Sequence, residues 1–217
     1  GPCAGKVAAV YEDNPFSGWP LDFRTCDWTT ISATYCSPRY EESFGVSHHG
    51  IDITSGRDVE GGYYSIVGQP IVSTADFARV LIAMSDDPST NPYNGGYGNY
   101  VLLAALDKIC FSDPNQGNVC KYTCEDWDGA DYNGDGKITD YCGEELPWKA
   151  IYAHMQSAAV QSGQVVKRGT VIGYVGSTGN STGPHLHYQI NGPHGAIDPA
   201  PAFGCEGYDR ETILRRE

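Results

Sequence analysis

His185-Leu186-His187-Tyr188-Gln189-Ile190 is a short run near the C-terminal end of the chain. In an extended strand successive side chains point to opposite faces, so His185 and His187 project to one side while Leu186 points into a core. The run predicts a strand over 185–190 with two imidazoles facing the same space. Far upstream, His48 and Asp52 are also separated by an even number of residues, and Gly50 between them permits close backbone approach. Read with the His185/His187 pair, they offer two histidines and one carboxylate, a ligand set used for catalytic zinc, which keeps its fourth position for water. The pattern makes a metal-dependent hydrolase the expectation.

The rest of the chain reads as strands around this one. Residues 71–84 (IVSTADFARVLIAM) and 99–106 (NYVLLAAL) are β-branched and apolar runs separated by Pro88, Pro92 and Gly95-Gly96-Tyr97-Gly98, which predicts two strands and a long hairpin connection. Residues 150–156 and 164–175 supply further strands, and 176–183 is a glycine and serine/threonine loop. Helix signals are few and short. With 27 glycines and 15 tyrosines in 217 residues, composition leans the same way. The expected fold is mainly β, an antiparallel sheet or sandwich interrupted between residues 105 and 148.

Eight cysteines without paired CxxC spacing favour disulfides and an oxidising compartment, so a secreted or cell-envelope location is expected. Local closure suggests Cys26 with Cys36, and Cys3 with Cys205 joins the two ends. The chain opens on Gly1-Pro2 without a signal peptide, which reads as a mature or trimmed form. No segment has the ~20 apolar residues needed to span a bilayer. A net charge of −13 disfavours nucleic acid as a partner. That charge is uneven: ten acidic residues face three lysines between residues 105 and 147, so overall acidity says little about the groove.

Phe44-Gly45-Val46-Ser47-His48-His49-Gly50-Ile51-Asp52-Ile53 resembles the HxxxD region of the lysostaphin-like M23 metallopeptidases, endopeptidases of bacterial cell walls. Gly173-Tyr174-Val175-Gly176-Ser177-Thr178-Gly179 followed by Ser181-Thr182-Gly183-Pro184-His185-Leu186-His187 resembles the region of that family ending in HxH, and Tyr152-Ala153-His154-Met155 its third histidine motif. Gly96-Tyr97-Gly98-Asn99-Tyr100-Val101 is similar to its strand entry, and Trp19-Pro20-Leu21 to the opening of a mature domain. The resemblance implies that His48, Asp52 and His187 bind zinc, with His154 and His185 beside it as catalytic histidines. It implies a zinc endopeptidase acting on peptidoglycan stems or cross-bridges, through a water whose pKa falls from 15.7 to about 7 on the metal. Sequence leaves open which histidine is the base, and whether a glycyl-glycine or a D-Ala-diaminopimelate bond is cut. A groove over the zinc is expected, flanked by the loops after Gly56, at 91–98 and at 176–183. The alternative reading is a non-catalytic binding or regulatory protein of wall hydrolysis; a peptidase of non-wall, glycine-rich proteins is a third. His49 and His194 are given no role.

The expected organisation is an N-terminal segment, 1–43, integrated with a peptidase core of 44–104 and 149–205, a disulfide-rich acidic insertion at 105–148, and a tail at 206–217. A monomer is favoured. Within the insertion, Cys110, Cys120, Cys124 and Cys142 are expected to close among themselves. Asp131-Tyr132-Asn133-Gly134-Asp135-Gly136-Lys137-Ile138-Thr139 matches the front of an EF-hand loop, with Asp131, Asn133, Asp135 and the Lys137 carbonyl as calcium ligands. Position twelve is Cys142 where a bidentate Glu is expected, so Asp140, or Glu144 or Glu145, must complete the shell. The competing reading is a metal-free Asx-turn loop.

Overall fold

The computed structural model describes residues 3, 5–7, 9–22, 26–57, 60–85, 95–107, 109–121 and 144–205, with side chains omitted at 109–113 and 118–121. The strands are β1 (Thr30–Ala33), β2 (Ile51–Thr54), β3 (Gly56–Arg57), β4 (Tyr63–Tyr64), β5 (Pro70–Val72), β6 (Phe77–Met84), β7 (Asn99–Leu106), β8 (Ile109–Asp113), β9 (Gly117–Lys121), β10 (Glu145–Ala158), β11 (Val165–Lys167), β12 (Val171–Val175), β13 (His185–Gly192) and β14 (Gly195–Ile197). One ten-stranded antiparallel sheet runs β1-β2-β13-β10-β7-β6-β11, with β12 joining β10 to β5 and β14 beside β13. The mainly antiparallel β fold expected from sequence is the fold observed.

Register places the chemistry. In the β2–β13 pair Asp52 lies opposite His187, and Thr54 opposite His185. Directly opposed residues share a face, so the carboxylate and both imidazoles stand together on one side. On the other side Ile51, Ile53, Leu186, Tyr188 and Ile190 are buried with Ala150 and Tyr152 of β10. The N-terminal segment joins this core through Phe16, Trp19 and Leu21, and the Trp19 ring meets Phe203 edge-on at 4.9 Å. Beneath the site, Thr74 Oγ1 is 2.7 Å from the hydroxyls of both buried tyrosines, Tyr152 and Tyr188. Satisfying two buried hydroxyls with one threonine fixes β10 and β13 relative to each other.

Two predicted strands are each broken in two. The run 71–84 divides into β5 and β6 because residues 73–76 leave the strand, with Ser73, Thr74 and Ala75 buried and Asp76 exposed. The run 164–175 divides into β11 and β12 at a turn where Thr170 N–H donates to Lys167 O at 3.1 Å. Arg168 at that turn meets Asp76 of the other break at 2.8 Å, so the interruptions brace each other.

The helix α1 (Pro38–Phe44) was not expected, although its signals are present: Ser37 caps it through Tyr40 N–H, Pro38 opens it, and Gly45 closes it in a left-handed conformation. The expected disulfides are also corrected. The four cysteines pair as Cys3–Cys36 and Cys26–Cys205, not Cys26–Cys36 and Cys3–Cys205. Strand β1 lies between Cys26 and Cys36, and each of the two cysteines is taken up by a partner from elsewhere in the chain.

In the insertion, β8 and β9 form a two-stranded hairpin with Cys110 and Cys120 as register partners, and β10 begins at Glu145 opposite Leu106. Cys124, Cys142 and the expected calcium ligands Asp131, Asn133, Asp135, Lys137 and Asp140 lie outside the described residues. Among the described residues, no helix is long and apolar enough to cross a membrane.

Candidate metal centre

Asp52 Oδ1 is the hub of the site. It lies 3.1 Å from His48 Nε2, 3.0 Å from His187 Nδ1 and 3.7 Å from His185 Nε2. His48, Asp52 and His187 thus offer three ligand atoms within 4.8 Å of one another, and all three residues are buried. Burial pushes the Asp52 carboxyl up, but the adjoining His187 and His48 rings outweigh it and hold the group well below the ordinary carboxylate range.

Each ring has its other nitrogen committed. His48 Nδ1–H donates to Thr34 O at 2.9 Å, and His187 Nε2–H donates to Gln189 Oε1 at 2.9 Å. Gln189 is oriented in turn by its own amide N–H, which donates to Asn191 Oδ1 at 2.9 Å. A carbonyl oxygen can only accept, so these contacts fix the tautomers and leave His48 Nε2 and His187 Nδ1 as lone pairs. Two imidazole lone pairs and a carboxylate oxygen at about hydrogen-bond distance, with no proton among neutral rings to share, are satisfied by a cation. Nitrogen and oxygen donors in this ratio suit zinc, so the residues present fit that ion.

Local backbone features hold the donors close. The chain from His48 to Gly50 is irregular, with strand beginning only at Ile51. Gly50 provides the approach: a Cβ there would lie 2.5 Å from Tyr188 O and 2.9 Å from His187 Cε1.

His154 and His185 stand beside the hub, their rings 4.6 Å apart. His185 comes from the face alternation of β13. His154 does not follow simple alternation: the register of β10 against β7 shifts between Tyr152 and Met155, and His154 sits at φ 61°. This bulge turns the imidazole out of the sheet, a device found next to active sites. Three hydrogen bonds secure it, His154 N–H to Tyr97 O at 2.8 Å, Gly176 N–H to His154 O at 3.1 Å, and Nδ1–H to Thr178 O at 2.8 Å. His185 Nδ1–H likewise donates to Gly183 O at 2.8 Å. Both rings therefore keep Nε2 for chemistry. Burial, followed by the charge of neighbouring His185, lowers the His154 pKa to about 4.

All five residues line one groove of about 470 Å³. Its walls are Tyr40 and Phe44 of α1 on one side, Tyr63 and Val67 on another, and the loop Asn180–Pro184. The loop after Gly56 and the loop 176–183 were expected there; α1 was not. Of the expected 91–98 wall, residues 91–94 lie outside the described residues, while Gly98 packs so tightly on the 178–180 loop that a Cβ would lie 2.6 Å from Gly179 N. Gln189 and Thr34 were missed as supports. The Gln189 signal was available, because it shares the face of His187 two residues on.

The sheet thus carries a two-histidine, one-aspartate cluster with two further histidines in the same groove. The model of the peptidase family M23 matches residues 116–199, under half of the chain, a stretch that contains His154, His185 and His187. The likeness to M23 peptidases read from the motifs is borne out by that match. The peptidoglycan DD-endopeptidase ShyC of Vibrio cholerae is 51% identical over 68 residues, which are 29% of this chain and 16% of that protein. The DD-carboxypeptidase/endopeptidase Mpg of Neisseria meningitidis is 54% identical over 82 residues, 31% of this chain and 19% of that protein. The chain spans less than a fifth of the length of these relatives. Among solved structures, a zinc containing peptidase from Vibrio cholerae matches with TM-score 0.51 and 22% identity, over 86% of this chain and 39% of that one. The antimicrobial peptidase lysostaphin from Staphylococcus simulans matches with TM-score 0.50 and 20% identity, over 91% of this chain and 56% of that one. At this identity the structural likeness establishes the fold.

Proposed function

We propose that this protein is an exported, zinc-dependent endopeptidase that hydrolyses peptide bonds in the stems or cross-bridges of bacterial peptidoglycan. The observation that carries the reading is the convergence of His48 Nε2, Asp52 Oδ1 and His187 Nδ1 beneath a groove that also holds His154 and His185. The relative named as a peptidoglycan DD-endopeptidase supports the substrate. The two disulfides support export.

Zinc held by His48, Asp52 and His187 supplies Lewis acidity and a water of lowered pKa. The protein's own part is proton handling. His154, kept neutral by burial and by the charge beside it, accepts a proton from the attacking water on Nε2. His185, its Nδ1 held by Gly183 O, turns Nε2 to the groove, and in its protonated form donates from there to the oxygen that gains charge as the carbonyl is attacked. The proton taken up by His154 then passes to the departing amine. The two roles separate because like charges 4.6 Å apart disfavour double protonation. A groove open to solvent and walled by aromatic rings suits an extended peptide. His154 and His185, both facing it, argue against the non-catalytic alternative.

The test is digestion of purified peptidoglycan, and of short peptides with Gly-Gly or D-Ala bonds, with and without a zinc chelator. Release of new amino termini that stops on chelation and returns with zinc is expected. Cleavage that persists after chelation, or zinc-loaded protein inert on every substrate, contradicts the proposal.

A further inference from the structure

His48 is gripped by one short segment, residues 34–40. Its Nδ1–H donates to Thr34 O at 2.9 Å, its carbonyl accepts from Cys36 N–H at 2.8 Å, and the Tyr40 ring lies 4.4 Å from its own, tilted by 31°. The first contact keeps the ring proton on Nδ1 and so turns an unprotonated Nε2 to Asp52. The second depends on an uncommon backbone: Cys36 has φ 56°, and Cys36 and His154 are the two non-glycine residues with positive φ among those described. A side chain persists in that region only where its surroundings impose it. At Cys36 the constraint is covalent, a bond to Cys3 with Cα atoms 6.0 Å apart. The next residue, Ser37, caps α1 and so places Tyr40. Disulfide, turn and helix therefore act in series on one imidazole.

Room for this segment to relax lies behind it. A cavity of about 390 Å³ is bordered by Cys3, Cys36, Ser47, His49, Gln189 and Asn191. Gln189 supports the His187 ring and Cys36 holds the His48 backbone, so one residue behind each imidazole borders the same space.

We propose that Cys36, anchored by Cys3, is a positioning residue for His48, and that the metal affinity of the site depends on this disulfide and not on Cys26–Cys205. The inference rests on the reading of His48 as a metal ligand. The second disulfide is the natural control. It spans 179 residues of sequence against 33, so loop-closure entropy gives it at least as large a share in global stability. Loss of general stability and loss of positioning are thereby separable.

The experiment compares the full chain with Cys3→Ser/Cys36→Ser and with Cys26→Ser/Cys205→Ser. Zinc affinity is measured by competition with a chromophoric chelator, and the His48 tautomer by long-range ¹H–¹⁵N correlation in zinc-free protein. Removing Cys3–Cys36 is expected to lower affinity by about 10–100-fold, the range for lost second-layer support, and to mix the His48 tautomers. Removing Cys26–Cys205 is expected to leave both unchanged. Equal losses in the two variants, or unchanged affinity and tautomer without Cys3–Cys36, overturn the proposal. Should that variant not fold, Tyr40→Leu loosens the same grip with the disulfide intact; about a tenfold loss supports the proposal and unchanged affinity overturns it. A wild-type chain that binds no zinc refutes the metal site itself, which is a different failure.

Discussion

His187 reaches Asp52 with one ring nitrogen and Gln189 with the other, at 3.0 and 2.9 Å. Because Gln189 Oε1 can only accept, the proton sits on His187 Nε2 and the lone pair on Nδ1. Gln189→Leu is expected to free the ring to take either tautomer and to weaken zinc binding by about 10–100-fold, while Gln189→Glu keeps an acceptor and keeps the metal. Zinc competition on both variants checks this; equal weakening by Leu and Glu contradicts it.

His154→Ala removes the proton acceptor and none of the three metal donors. Hydrolysis is expected to fall by about 10²–10⁴-fold, the usual contribution of a general base, with zinc content unchanged. Single-turnover rates and metal analysis of the same preparation test both halves.

The His154 pKa, lowered from 6.5 to about 4, gives a pH prediction for zinc-free protein. Between those values the unfolded chain binds a proton that the folded chain refuses. Stability therefore falls as pH drops through the window from 6.5 to about 4, and no loss from this group is expected above it. An NMR titration should place the His154 midpoint near 4, and His154→Gln should flatten the acid limb of a denaturation series. A midpoint near 6.5 contradicts the burial argument.

Gly50→Ala places a methyl 2.9 Å from His187 Cε1 and 2.5 Å from Tyr188 O. Overpacking of this kind costs about 1–3 kcal/mol, and the neighbour that must move is a ligand. Urea denaturation should show the loss, and zinc affinity should fall with it. An Ala variant matching wild type in both places Gly50 farther from β13 than described.

The site was legible where strand geometry alone decides it. The alternation of His185, Leu186 and His187 gives two imidazoles on one face, and register then brings Asp52 opposite. His154 is different, since it reaches the groove only through a bulge and a left-handed backbone that no local pattern of Tyr152-Ala153-His154-Met155 specifies. Its place in the sequence reading came from family resemblance. The 71–84 run looked continuous because Ile71, Val72 and Phe77 to Met84 suit a strand, and the partners of buried Thr74, the hydroxyls of Tyr152 and Tyr188, lie far off in sequence. The disulfides are not legible for a related reason: nearness in sequence favours Cys26 with Cys36, whereas the fold brings Cys3 to Cys36 and Cys205 to Cys26.

The most direct test of the metal centre is zinc stoichiometry combined with X-ray absorption at the zinc edge. The expected result is one zinc per chain, bound by two imidazole nitrogens and a carboxylate oxygen at about 2.0–2.2 Å, and lost in His48→Ala and in Asp52→Ala. Folded protein that takes up no zinc, or zinc whose coordination is unchanged in both variants, contradicts the account.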